Sequence, residues 1–198
     1  DVRLFARPHF AAACASIGLS NLVMYTVLLA LPLYLADVRG FGVETAGLVL
    51  AALSAFAALW GPIGGRWTDQ RGRWLPAVVG AVILLLGIAG LALAVRQPDL
   101  TPVVIALAAM GLGLGVAGAP VQTAAVEAVP HAQTGTAAGI FSTSRYLGSV
   151  TGSTVLALLF VQHPQPGVAG PFVALFAGLS LVALLGVWAN ARVAERGE

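Results

Sequence analysis

The chain has 198 residues, of which 59% are hydrophobic and only 9% are charged. Because an ordinary soluble domain carries about 25% charged residues, this composition leaves too few polar side chains for a water-facing surface and excludes a soluble globular protein. The net charge is only +2. The arginines of the chain are scattered between apolar runs and form no stripe, which argues against nucleic-acid binding.

Apolar runs of roughly eighteen or more residues recur along the chain, each long enough to cross a hydrocarbon core about 30 Å thick. Charged and turn-forming residues divide these runs into spans. In chain order the predicted spans cover residues 9–36, 43–65, 74–95, 101–128, 134–161 and 168–191. The spans must be helical, since lipid offers no partner for backbone N–H and C=O groups. We therefore predict an all-α polytopic membrane protein, with residues 1–198 forming one bundle of six transmembrane helices.

The boundary between the fifth and sixth spans depends on a turn. No charged residue lies between Arg145 and Arg192, a stretch too long for one crossing. The segment 163–167 reads His-Pro-Gln-Pro-Gly, and two prolines and a glycine so close together end a helix. We therefore expect two helices joined by a short turn.

The arginines predict the orientation in the membrane. An even number of crossings places both termini on one side. That side carries Arg3, Arg7, Arg66, Arg71, Arg73, Arg192 and Arg196, and the other side carries Arg39 and Arg96. Since loops rich in arginine stay in the cytoplasm, we expect both termini and the loop between the second and third spans to be cytoplasmic, in the plasma membrane.

The loop between the second and third spans carries the clearest motif. It reads G-x-x-x-D-x-x-G-R and contains Gly65, Arg66, Asp69, Arg71, Gly72 and Arg73. Glycine allows close backbone approach and positive φ in a short turn, as expected for Gly65 and Gly72. A carboxylate such as Asp69 can accept hydrogen bonds from arginines or from a helix N-terminus.

This motif resembles the cytoplasmic signature loop of the major facilitator superfamily. It departs from the family pattern at Gln70, where a basic residue is common, while Arg71 follows one place later. The resemblance implies that Asp69 belongs to a cytoplasmic gate that is broken when the helices rock. The alternative is an ordinary basic loop with a solvated aspartate.

A second resemblance covers the fourth and fifth spans, with Gly111, Gly113, Gly115 and Pro120 in one and Arg145 with Gly148 in the other. This region looks like the tenth-to-eleventh helix region of drug exporters of the same superfamily, or its counterpart in the fourteen-helix branch. The resemblance covers nearly all of the chain, but only as the second half of the usual protein. It implies a C-terminal six-helix half most similar to drug/proton antiporters of multidrug efflux.

Glycines at helical spacing are candidates for close helix packing. Gly111 and Gly115 form one small-xxx-small pair, and Gly148 and Gly152 form another. Such pairs let two helices approach closely in a membrane, and Pro120 is a candidate bend in the fourth span. Static packing and a moving hinge both remain open for these residues.

Polar side chains inside the spans are the candidate substrate path, because such groups are costly in lipid. They are Asn21, Tyr25, Gln122 and Arg145. Asn21 and Tyr25 lie four residues apart and thus on one helix face, although interhelical hydrogen bonds are an alternative for them and for Gln122. Arg145 is expected either to bind substrate on the path or to pair with Glu127. The alternative is that its side chain extends towards the lipid headgroups.

The sequence carries no pattern typical of an enzyme or a metal site. The three histidines lie far apart at span ends, without ligand spacing, and no His-Glu pair, Ser-His set or acidic cluster is present. We therefore expect neither a metal nor a cofactor. No acid lies deep within a span, so a proton-driven antiporter of this kind would carry its main proton-binding group in the other half.

We therefore expect a secondary active transporter that exports small hydrophobic or cationic compounds, with the proton gradient as energy source. Its expected partners are the lipid bilayer, a small-molecule substrate and an N-terminal six-helix half. The first residue is Asp1 and not methionine, which favours an upstream part; a second copy would replace it if the chain were complete. The alternative is a non-transporting half-length membrane protein with a structural or regulatory role.

Overall fold

The computed structural model describes residues 2–162 and 168–193, and these ranges contain helices but no β-strand. Two short 3₁₀ helices, Val2–Ala6 and His131–Gln133, accompany six long helices. The long helices are α1 Pro8–Asp37, α2 Val43–Arg71, α3 Trp74–Ala94, α4 Thr101–Glu127, α5 Thr134–Gln162 and α6 Gly170–Val193. The turn predicted at 163–167 lies outside the described residues.

Five of these helices, α1 to α4 and α6, are long and apolar enough to cross a membrane. The remaining helix, α5, has 29 residues and is therefore long enough, but it carries Arg145 and many serines and threonines. This arrangement confirms the predicted fold class, an all-α polytopic membrane protein.

The end of α2 differs from the prediction. We expected the helix to end at Gly65, but it continues to Arg71, because nothing between these residues breaks a helix and the Thr68 hydroxyl donates a hydrogen bond to the Gly64 carbonyl (2.8 Å). The expected positive φ at Gly65 is therefore wrong. Gly72, which ends the helix, has a φ of 76°. The charged residues of the motif therefore belong to the last turns of α2 and do not mark its end.

Helices α1 and α4 organise the bundle. α1 packs against α5 and α6, while α4 packs against α2 and α3. Contacts of α1 with α4 and of α3 with α6 join the two groups. Helices α2 and α5 are therefore each held mainly from one side.

Glycines allow α4 to approach both of its neighbours. A Cβ at Gly115 would lie 2.7 Å from the Ala57 carbonyl oxygen, and one at Gly111 would overlap the Leu53 carbonyl of α2. On another face, a Cβ at Gly113 would lie 2.5 Å from the backbone nitrogen of Leu84 on α3. Backbones at these points are closer than any side chain would permit.

The α1–α5 contact uses the same device. A Cβ at Gly148 would overlap the carbonyl of Gly18 on α1, and one at Gly152 would lie 2.6 Å from the Leu22 carbonyl oxygen. The two helices run parallel, because the two contacts are four residues apart on α1 and four residues apart on α5, in the same direction along the chain. The predicted small-residue pairs thus lie at the tightest crossings of the bundle.

The buried apolar core consists of two clusters. One contains Tyr34, Leu91 and Phe176, and the other contains Phe10, Ala125 and Phe141. Between them, α1 carries the buried polar residues Ser16 and Asn21. A cavity of about 30 Å³ lined by residues including Ser16, Ser20 and Gly118 lies at this level. Polar side chains of α1 therefore lie between the two apolar clusters.

Candidate functional site

Contacts between helix ends define an arginine-rich end of the bundle, where α1, α3 and α5 begin and α2, α4 and α6 end. The Arg7 guanidinium donates a hydrogen bond to the Ala128 carbonyl (2.8 Å), just after α4. His9 Nδ1 lies 3.2 Å from the Arg192 carbonyl oxygen near the end of α6. Cationic side chains beside exposed carbonyls stabilise the C-terminal ends of helices.

The turn between α2 and α3 lies at this end. Gly72 takes the left-handed conformation, so the chain reverses within two residues and Arg73 precedes α3. The Arg73 guanidinium forms an ion pair with the Glu127 carboxylate at the end of α4. The pair fixes the start of α3 to the end of α4, next to the helices that the glycines hold together.

The other charged residues of the motif project from the last turns of α2. Arg66, Asp69 and Arg71 are exposed. Among the described residues, none forms an ion pair or hydrogen bond with the Asp69 side chain. The carboxylate is therefore available to a group outside the described part of the chain, and its role in a gate stays a prediction.

A polar cavity of about 460 Å³ opens beside the end of α4. Its lining residues are Ala119, Gln122, Thr123, Val126 and Glu127. Gln122 is exposed and lies on the same face as Val126. A path residue predicted from the sequence therefore lines an open cavity.

Arg145 lies on α5 and has no acidic partner within residues 2–162 and 168–193. One predicted alternative, a pair with Glu127, does not form, because Glu127 is bound to Arg73. The guanidinium carbon lies 5.7 Å from the centroid of the Phe141 ring, one helical turn nearer the arginine-rich end. Its buried Nε atom has no hydrogen-bond partner.

The other two predicted path residues, both on α1, differ from each other. Asn21 is buried, and its side-chain amide donates a hydrogen bond to the Ile17 carbonyl of the same helix (2.9 Å). It thus neither lines an open cavity nor bonds to another helix, because its own backbone satisfies it. Tyr25 is 39% exposed and its hydroxyl remains available.

A polar cluster at the opposite end of the bundle was not predicted. The Tyr34 hydroxyl, fully buried, donates a hydrogen bond to the Val95 carbonyl (2.6 Å). Arg39 donates to the Gln97 carbonyl (2.6 Å) and to the Pro98 carbonyl. These bonds tie the α1–α2 connection to the α3–α4 connection. In the sequence, the only indication of this cluster was the occurrence of a tyrosine and an arginine, Tyr34 and Arg39, near the end of the first span.

Elsewhere the described residues offer few groups for chemistry. An apolar cavity of about 520 Å³ lies between α1, α5 and α6, and is lined by apolar residues and glycine. Within the two described ranges, no three His, Cys, Asp or Glu side chains are grouped closely enough to hold a metal ion.

Comparison with known proteins decides the family. The family model described as Major Facilitator Superfamily matches residues 2–153. The chain belongs to the major facilitator superfamily. This match includes the α2–α3 motif and Arg145, so the resemblance drawn from those residues is confirmed.

Two relatives carry names that refer to transport or to multidrug resistance. The MFS-type transporter YwoD of Bacillus subtilis is 31% identical over 161 residues, covering 81% of this chain and 36% of YwoD. The multidrug resistance protein Stp of Mycobacterium tuberculosis is 31% identical over 156 residues, covering 79% of this chain and 29% of Stp. The chain thus spans about a third of the length of these relatives. Both names support transport and neither indicates catalysis.

A solved structure supports the fold independently. The crystal structure of an auto-inhibited POT family peptide transporter superposes with a TM-score of 0.72 at 18% sequence identity. The match covers 92% of this chain and 37% of that one. The six helices of this superfamily member therefore have the arrangement of half a major facilitator fold.

Proposed function

We propose that this chain is the C-terminal six-helix half of a proton-coupled secondary transporter that exports small hydrophobic or cationic compounds. The two halves rock about a site near the middle of the membrane, so that each side opens in turn. The arginine-rich end faces the cytoplasm, and the protein lies in the plasma membrane. The name of the relative Stp, a multidrug resistance protein, supports efflux as the direction.

The observation that carries this proposal is the uncovered surface of α2. Of its 29 residues, only Ala46, Val49, Leu53 and Gly64 are buried. The surface that remains includes polar Ser54 and the charged residues of the motif, which lipid alone accommodates poorly. A second six-helix bundle on this side would cover α2 and place a partner opposite Asp69.

Proteoliposomes containing the product of the complete reading frame that encodes this chain test the proposal. A proton gradient, acidic on the side opposite the arginine-rich end, is expected to drive a fluorescent hydrophobic dye out of the compartment that represents the cytoplasm. An uncoupler should abolish the flux. Dye movement that is the same with and without a gradient would reject proton-coupled export.

A further inference from the structure

Arg145 is set apart from the other described arginines by its depth in the bundle. Arg66, Arg71 and Arg192 lie in the last turns of their helices or close to them. Arg145 lies about three turns beyond Thr134, the first residue of α5, or roughly 16 Å along the helix axis. It is the charged residue farthest from a helix end in the described ranges.

No acid of the described residues balances this charge. Asp37, Glu44 and Asp69 lie near helix ends, and Glu127 is held by Arg73. The buried Nε of Arg145 lacks a hydrogen-bond partner. The Phe141 ring meets the guanidinium through a cation–π contact, but a ring face accepts none of its N–H groups in the manner of an oxygen. Charged side chains deep in a membrane-spanning helix are almost always paired, so an anionic partner is expected for Arg145.

The polar cavity lies at a depth in the bundle similar to that of this charge. Gln122, which lines it, lies about 7 Å along α4 from the helix end at Glu127, while Phe141 lies about 10 Å along α5 from Thr134. Both helices have these ends at the arginine-rich end, and they contact each other. The guanidinium over Phe141 is thus close in depth to Gln122.

We infer that Arg145 binds an anionic group of the transported molecule, so that the substrates are hydrophobic compounds that carry an acid. Guanidinium binds carboxylate through two parallel hydrogen bonds, which would satisfy Nε and a terminal nitrogen together. Glu127 and Gln122 would border the entrance to this site. The inference rests on the proposed function, and it narrows the substrates to hydrophobic compounds that carry an acidic group, which leaves out the cationic ones.

Equilibrium dialysis against the complete gene product in lipid nanodiscs tests this inference at pH 7. The probes share one ring system and differ in charge: 2-naphthoate, 2-naphthylmethanol and 2-naphthylmethylammonium. The variants are Arg145→Gln and Arg145→Lys. Arg192→Gln is the matched control, because its guanidinium also lies over an aromatic ring, 4.0 Å from the Trp188 centroid, but at the end of α6.

We expect 2-naphthoate to bind the unmodified protein most tightly. Arg145→Gln should weaken naphthoate binding about tenfold or more, which corresponds to one strong charge-assisted interaction. The same variant should leave binding of the neutral alcohol unchanged, Arg145→Lys should keep the preference for the anion, and Arg192→Gln should alter none of the three affinities.

Three results would overturn the inference. The first is equal binding of the anion and the cation to the unmodified protein. The second is a loss of all three probes in Arg145→Gln, which would indicate that Arg145 supports the structure by pairing with an acid elsewhere in the protein. The third is a loss of anion preference in Arg145→Lys, which would indicate that the positive charge at this position does not set the preference. If naphthoate binding depends on Arg145 but the proton gradient drives no transport, the proposed function is rejected while the anion site is retained.

Discussion

At the scale of single residues, the charged groups of the arginine-rich end divide into two sets. Arg73 and Glu127 satisfy each other within the bundle, whereas Asp69 on the last turns of α2 has no partner among the described residues. The first set holds helices of this chain together. Asp69 is available for a contact with a group outside the described residues, and we propose that this contact forms and breaks during transport.

The Asp69 carboxylate is expected to matter for movement and not for insertion. Asp69→Asn removes the negative charge but keeps the shape of the side chain, so we expect gradient-driven transport to fall while the amount of protein in the membrane stays unchanged. Transport in proteoliposomes and membrane yield measure the two effects. Asp37→Asn, an exposed aspartate at the opposite end, is the control. An unchanged transport rate in Asp69→Asn would rule out a gating role.

The Tyr34 hydroxyl is expected to contribute to stability. Tyr34→Phe leaves the buried ring in place but removes the hydrogen bond to the Val95 carbonyl, so the free energy of unfolding should fall by about 0.5–1.5 kcal/mol. Denaturant titration in detergent micelles measures the change. In the matched variant Tyr25→Phe, the hydroxyl that is lost makes no hydrogen bond within the described ranges, and stability should hold. Equal losses in both variants would contradict the assignment.

Residue identity predicted some of these features and missed others. Gly72 makes the expected turn with a positive φ. Gly65 makes no turn, because helix α2 continues past it to Arg71. The ion pair of Glu127 with Arg73 was missed because both residues lie near helix ends, and only the tertiary packing of α3 on α4 brings them together. The Asn21 amide donates to a carbonyl of its own helix, and its place on the substrate path stays a prediction.

At the scale of elements, α4 is the helix on which the packing depends. Gly111 and Gly115 face α2, and Gly113 faces α3. The small-xxx-small spacing of the sequence predicted close packing. The sequence did not predict which helix packs on each glycine, because that depends on the arrangement of the six helices in space. Whether these glycines also act as hinges stays a prediction.

The tightest of these crossings predicts a contrast between two glycines of one helix. Gly111→Ala would drive a methyl group into the Leu53 backbone of α2 and force the helices apart, with an expected loss of about 1–3 kcal/mol in stability. Gly118→Ala would place its methyl group in open space and should be tolerated. Thermal unfolding in detergent measures both, and similar melting temperatures for the two variants would contradict the packing described.

At the scale of the whole molecule, two apolar clusters and polar contacts at each end hold the bundle together. Arg39 and Tyr34 tie the loops at one end, and Arg73 and Glu127 tie α3 to α4 at the other. The number and order of the helices could be predicted from the apolar runs, since membrane thickness sets their length, and the predicted orientation comes from the arginines. The proposed partner on the exposed side of α2 could not be identified from this chain.

Labelling of a cysteine in the polar cavity tests alternating access most directly. Gln122→Cys, in a variant with the native Cys14 replaced by alanine, is treated with a membrane-impermeant maleimide from the side of the arginine-rich end, with and without a proton gradient. We predict that the labelling rate changes with the gradient and that Asp69→Asn suppresses the change. A rate that is identical in both conditions would contradict the proposal that this bundle opens and closes during transport.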